Sequence, residues 1–317
     1  MPRNPRAQAQ ERLGESHSAR VFEPSPPAVT DPPFFADDSV ARGSELDADD
    51  RPVVSPVTTG DVLWADLVRA ERPDLAEFAA HHWLGAYQRL SPPPADLARS
   101  RVALHSLAEN VISPTRQRAP GGKIGLRWTS GGFGTPFFGN DVQLRVEGDV
   151  VVVQTAEREQ LGRLTTLKDA AEFVGFDLTR TDVAMAEDRL NIDQRAARWL
   201  GDLFGFATSV LEQLRAETTE RDSPSRVQLW PEHFDMAVDF GNESSSSRAN
   251  YGVSPGDEVH DEPYLYVSLW AGEREGELWN ATHYSGAELT ISEVIAADDQ
   301  REAALAFFRT RAQALAP

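Results

Sequence analysis

Trp230-Pro231-Glu232-His233-Phe234-Asp235-Met236-Ala237-Val238-Asp239-Phe240 alternates with a period of two residues. Phe234, Met236, Val238 and Phe240 fall on one face of an extended segment spanning residues 227–240, and His233, Asp235, Ala237 and Asp239 fall on the other. Shorter extended runs follow at 249–253, 264–270 and 287–291, separated by polar loops, so residues 226–291 read as an antiparallel β unit. Before it, Ile192, Ala196, Trp199, Leu200, Leu203, Ala207, Val210, Leu211 and Leu214 recur at helical spacing over residues 192–216. Gly201 and Gly205 in that helix predict a close approach by another element.

A second β unit is expected at residues 123–156. A strand over 123–128 leads into a glycine-rich loop, Gly131-Gly132-Phe133-Gly134, and then a hairpin turning at Gly148-Asp149. Thr165 or Thr166 caps a short helix closed by Gly175. Upstream, an antiparallel helix pair is expected, the first helix from about Asp61 and the second carrying Leu97, Leu104, Leu107, Ala108 and Val111. A terminal helix starts at Asp298 or Asp299, where Asp299 and Glu302 have capping-box spacing. Strand groups between helix groups, without βαβ alternation, give an α+β fold. Nine of the 21 prolines lie in the first 56 residues beside a cluster of acids, which predicts a disordered tail at 1–60 and one domain at 61–317.

The 31 Lys and Arg residues against 50 Asp and Glu leave a charge of −19, which argues against nucleic acid or an anionic membrane as partner. Without that tail the remainder still carries 40 acids against 25 bases. Cysteine is absent, so thiol catalysis and thiolate metal sites are excluded. No apolar run approaches the ~18–20 residues of a spanning helix, and the first thirty residues hold no apolar signal segment; a cytoplasmic location is expected.

Most short motifs fail on context. Gly121-Gly122-Lys123 lacks the upstream glycine and following hydroxyl of a phosphate-binding loop. Gly252-Val253-Ser254-Pro255-Gly256 fits a nucleophile elbow, but an acidic stretch closed by Pro263 follows where a helix is required, so a turn is expected. His105 borders an apolar stripe and reads as a core-edge histidine, whereas His81 and His82 read as surface residues. The chemistry concentrates at His233 and Asp235, the candidate catalytic pair, because an imidazole held by a carboxylate on one strand face keeps a defined tautomer. Trp230, Glu232 and Lys123 join them as candidate ligand-binding residues, and a polar organic ligand is favoured over a metal. A metal would need His233 and Asp235 plus Glu258, His260 or Glu262, with zinc, manganese or iron the options. No cofactor is implied.

These residues also resemble the uncharacterised bacterial family catalogued as domain of unknown function 5996. The likeness runs through Leu104-His105, Gly122-Lys123 with Gly125-Leu126, Asp193 to Trp199, the tryptophan-to-valine stretch Trp230–Val238, Ser254-Pro255-Gly256 and Tyr264-Leu265-Tyr266. The family's Asn-His-Trp-Trp stretch has no counterpart, and Glu232-His233 replaces its small serine. The family carries no assigned activity; the resemblance implies that Trp230, Phe234, Asp235 and Lys123 matter. Two functional readings follow: a small-molecule-binding or enzymatic domain around Trp230–Asp235, or an interaction module whose Trp230, Trp270, Trp279, Tyr251, Tyr264 and Tyr266 face a protein partner.

Overall fold

The computed structural model describes residues 89–119, 122–129, 131–136, 138, 142–155, 159–178 and 186–316. The expected tail, the first helix of the pair, His81, His82 and Gly121 lie outside them. The fold is α+β, with two antiparallel sheets of five strands. Sheet 1 runs in chain order through β1 (Arg127–Thr129), β2 (Gly132–Gly134), β3 (Gln143–Glu147), β4 (Val150–Gln154) and β5 (Glu159–Arg163). Sheet 2 runs through β6 (Gln228–Trp230), β7 (Asp235–Phe240), β8 (Ala249–Ser254), β9 (Tyr264–Leu269) and β10 (Gly286–Thr290). Each strand pairs with its sequence neighbour, the cheapest route to a sheet because every connection is short. The two sheets meet edge to edge where Leu126 and Leu229 exchange backbone hydrogen bonds of 2.8 and 2.9 Å.

The helices are α1 (Leu97–Leu107), continued through a π-helical turn (Ala108–Ile112) into α2 (Ser113–Gln117), then α3 (Leu167–Val174), α4 (Gln194–Ala216), α5 (Ile291–Ala296) and α6 (Gln300–Leu315). The long α4 lies against β1, β2 and β3 of one sheet and β7 and β8 of the other. Its Leu200, Leu203, Phe204, Ala207, Val210 and Leu211 are fully buried, so one apolar stripe serves both sheets. Asp193 caps it by accepting from the amides of Arg195 and Ala196. At Gly201 a Cβ would lie 2.7 Å from Gly131 and Gly132 backbone atoms, so the predicted close approach is made there, against the β1–β2 turn.

Several expectations need correction: the strand expected over 123–128 is confined to β1 at Arg127–Thr129, and the first β unit extends past 156 to β5. The glycine-rich stretch Gly131–Gly134 is not only a loop, for β2 occupies Gly132–Gly134. A Cβ on Gly132 or Gly134 would come within 1.8 Å of the Val146 carbonyl oxygen or 2.3 Å of that of Leu144, so these glycines permit close strand pairing. Residues 227–240 are not one extended segment but a hairpin, with β6 and β7 joined by a turn at 231–234. The Phe234 amide donates to the Trp230 carbonyl at 2.7 Å, and Phe234 takes φ 53°, which reverses the chain. His233 therefore lies in the turn and not on the strand face of Asp235, because a period of two carries no information about where the chain folds back.

Candidate functional site

Sheet 2 buries both of its faces along β7. Met236, Val238 and Phe240 join the main core, while Asp235, Ala237 and Asp239 point to the opposite face and are 0–3% exposed. There Trp230, Ala237, Tyr264 and Tyr266 form a small cluster of their own, with Ile124 and Tyr284 against it. Tyr266 stands on β9 and donates its hydroxyl hydrogen to Asp235 on β7, with β8 between them. Gly252 makes that reach possible, since a Cβ there would lie 2.4 Å from the Tyr266 ring. Asp239 is held by Arg248; burial pushes its carboxyl above the ordinary value, and the guanidinium works against that rise.

Beside this face, residues 255–263 fold into a loop without a helix, so the serine at 254 ends a strand and enters a turn. Gly256 takes φ 95°, and the Asp257 carboxylate accepts from the amides of Val259 (2.8 Å) and His260 (2.7 Å). Arg101, reaching from α1, donates to the Asp257 carbonyl at 3.0 Å and also to those of His260 and Pro255. The loop thereby sets His260 with Nδ1 3.0 Å from Asp257 Oδ1 and its ring 4.3 Å from that of Tyr264. The Tyr264 hydroxyl donates to Asp257 Oδ2 at 2.7 Å. His260 Nε2 lies 3.3 Å from Glu288 Oε1 on β10, in contact but without hydrogen-bond geometry, and that buried oxygen accepts no hydrogen bond among the described residues.

The electrostatics define the protonation states. Burial works to raise the Asp257 carboxyl, but hydrogen bonds from Tyr264, the two amides and His260 outweigh it and hold the carboxyl below the ordinary range. Burial, reinforced by the bond to Asp257, pushes the Tyr264 hydroxyl far up. Burial and the charge of Glu288 do the same to Tyr284. Both tyrosines are therefore neutral donors. His260 thus turns Nδ1 to Asp257 and Nε2 to Glu288, one carboxylate on each ring nitrogen.

The predicted residues separate. Trp230 and Asp235 are buried on the inner part of this face, 2% and 0% exposed. Glu232 and His233 are exposed in the hairpin turn, and Lys123 is half-buried just ahead of β1. His260, proposed only as a third ligand, stands with Asp257 and Glu288 instead. Glu262 accepts from the Ser292 amide at the start of α5, and Glu258 is exposed. Among the described residues no three His, Asp or Glu side chains are placed to hold a metal ion. His105 stacks on Phe234 at 5.4 Å at the core edge, but not as the satisfied histidine expected there: its buried Nε2 has no hydrogen-bond partner among the described residues. Asp257 and Glu288 escaped the sequence reading. Glu258, His260 and Glu262 lie in a loop, as expected, but the operative spacing there is the i,i+3 pair Asp257 and His260, and Glu288 arrives from a distant strand.

Among the described residues no helix is long and apolar enough to cross a membrane. Compared with known proteins, the chain matches no family model, no curated protein and no solved structure.

Proposed function

We propose that the domain binds a small polar organic molecule at the outer end of the tyrosine face, with His260 as the proton-accepting group. One observation carries this reading: His260 Nε2 lies 3.3 Å from Glu288 Oε1, a buried oxygen that accepts no hydrogen bond among the described residues, while Asp257 fixes the imidazole from behind. A buried acceptor left without a donor costs about 1–3 kcal/mol, which a ligand N–H or O–H would recover. An imidazole with one nitrogen tied to a carboxylate is also the usual form of a general base. Tyr264, Tyr266 and Asp235 supply the buried wall behind it, so the reading keeps Trp230 and Asp235 near the site and moves the proton chemistry from His233 to His260.

The interaction-module reading has less support. Trp230, Tyr251, Tyr264 and Tyr266 are only 1–8% exposed, and Tyr251 sits in the main core stacked on Phe240 at 4.1 Å. Kinship with domain of unknown function 5996 remains part of the proposal. Several residues that carry the likeness gather here: Trp230, Asp235, Ser254-Pro255-Gly256, Tyr264 and Tyr266.

A melting screen of the full chain against amines, alcohols, sugars and amino acids tests it. A true ligand present at ~100 times its Kd stabilises by about 2.7 kcal/mol. The shift should vanish in His260→Gln and Glu288→Gln, both of which should fold with little loss of unliganded stability. A shift that survives both substitutions refutes the site.

A further inference from the structure

The two outer edges of the sheet pair are treated differently. At β10 the edge is covered: Asn280 accepts from the Glu288 amide at 2.9 Å and donates to the Glu288 carbonyl at 3.1 Å, and the Ala281 amide donates to Gly286. At β5 no strand among the described residues takes the outer edge. The register of β5 on β4, extended one step by the Leu164 amide donating to Asp149, turns the backbone groups of residues 160 and 162 toward β4. Residues 159, 161 and 163 therefore present their N–H and C=O groups outward. Leu161, in the middle, is 68% exposed, more than any other large apolar side chain of the described residues. Phe173 on α3, 37% exposed, sits over Gly162 at the same edge.

An edge strand presents unpaired N–H and C=O groups that template pairing with another chain, and the five residues Glu159-Gln160-Leu161-Gly162-Arg163 contain no lysine or proline to discourage it. We infer that β5 pairs with β5 of a second copy of this chain, antiparallel about a two-fold axis at Leu161. The sequence is self-complementary in that arrangement. Position 161 meets itself, and position 159 meets position 163, so glutamate stands opposite arginine twice. All three positions are those whose backbone groups face outward, so the pairing completes the ladder with no change of register. Parallel pairing in register would instead set glutamate against glutamate. Arg163 can turn to such a partner at the cost of a surface ion pair only: its side chain is 77% exposed and pairs with Asp149 at 3.4 Å. The same two-fold brings Phe173 of each copy to the flank of the seam.

The chain has no cysteine, so a single Leu161→Cys substitution reports on the axis directly. Paired backbone positions of this kind have Cα atoms about 5.5 Å apart, within disulfide reach. Under mild oxidation the full-length Leu161→Cys protein should form a covalent dimer. Val102→Cys, at an exposed site on α1, should not. In sedimentation equilibrium, Arg163→Glu should raise the dimer dissociation constant at least about tenfold, because it sets like charges opposite twice. The swap Glu159→Arg with Arg163→Glu should restore it. Circular dichroism at each step confirms that the variants are folded. A wild-type chain that stays monomeric at ~100 μM, or a dimer indifferent to Arg163→Glu, overturns the inference.

Discussion

Phe234 adopts φ 53°, a conformation that bulky side chains avoid and that costs on the order of 1–3 kcal/mol. Its ring offsets that cost by packing edge-on to Phe133 and Phe204, each at 5.2 Å, and face-on to His105. The alternating pattern did place Phe234 on the apolar side, but it could not show the backbone reversal that separates His233 from Asp235. Asp257 offers a test at this scale. Its carboxyl is held below the ordinary value, so the stability it contributes is present above the unfolded-state pKa of about 3.9 and is lost as pH falls through the lower folded-state value. Asp257→Asn should therefore lower the urea midpoint at pH 7, and the gap to wild type should close below about pH 4. A gap that is constant with pH would mean that the charge of Asp257 contributes nothing.

Helix α4 was the most legible element, because its stripe is long; only its start moves, from the expected Ile192 to Gln194, where Asp193 caps it. Trp199 lies on that stripe, 4% exposed, and its indole N–H donates to the Ser91 carbonyl at 2.8 Å. Trp199→Ala should cost about 3–5 kcal/mol in chemical denaturation, the usual range for a buried large aromatic; a loss below 1 kcal/mol would contradict its burial. The caps at Thr166 and Asp299 were legible from local spacing. Helix α5 was not, although Thr290 and Glu293 form a full capping box there. At six residues it is too short for periodicity to register against the strand that precedes it. The same holds for β5, whose five residues contain a glycine and only one apolar side chain.

For the whole molecule the question is whether two sheets make one cooperative unit. Helix α4 contacts both, Leu126 and Leu229 join their edges, and one continuous core cluster spans them. At this seam a Cβ on Gly125 would displace the Gln228 side-chain oxygen, 2.1 Å away, and Ser113 and Arg116 of α2 bind the carbonyls of Ile124 and Gly125. Unfolding followed by tryptophan fluorescence and by far-ultraviolet circular dichroism should therefore give coincident transitions. Two separated transitions would show that each sheet unfolds on its own.

From its own order of residues the chain determines the α+β class, most strand positions, most helix limits and which side chains prefer the core. These are properties of neighbours along the chain, carried by periods of 3.6 and 2 residues and by caps one turn away. Only the tertiary structure decided that the sheets join at Leu126 and Leu229, that Tyr266 reaches Asp235 over Gly252, and that His260 stands between Asp257 and Glu288. Those contacts link residues up to about a hundred positions apart. They arise because burying the apolar faces in one core fixes where the polar faces come to lie, and no local pattern records that.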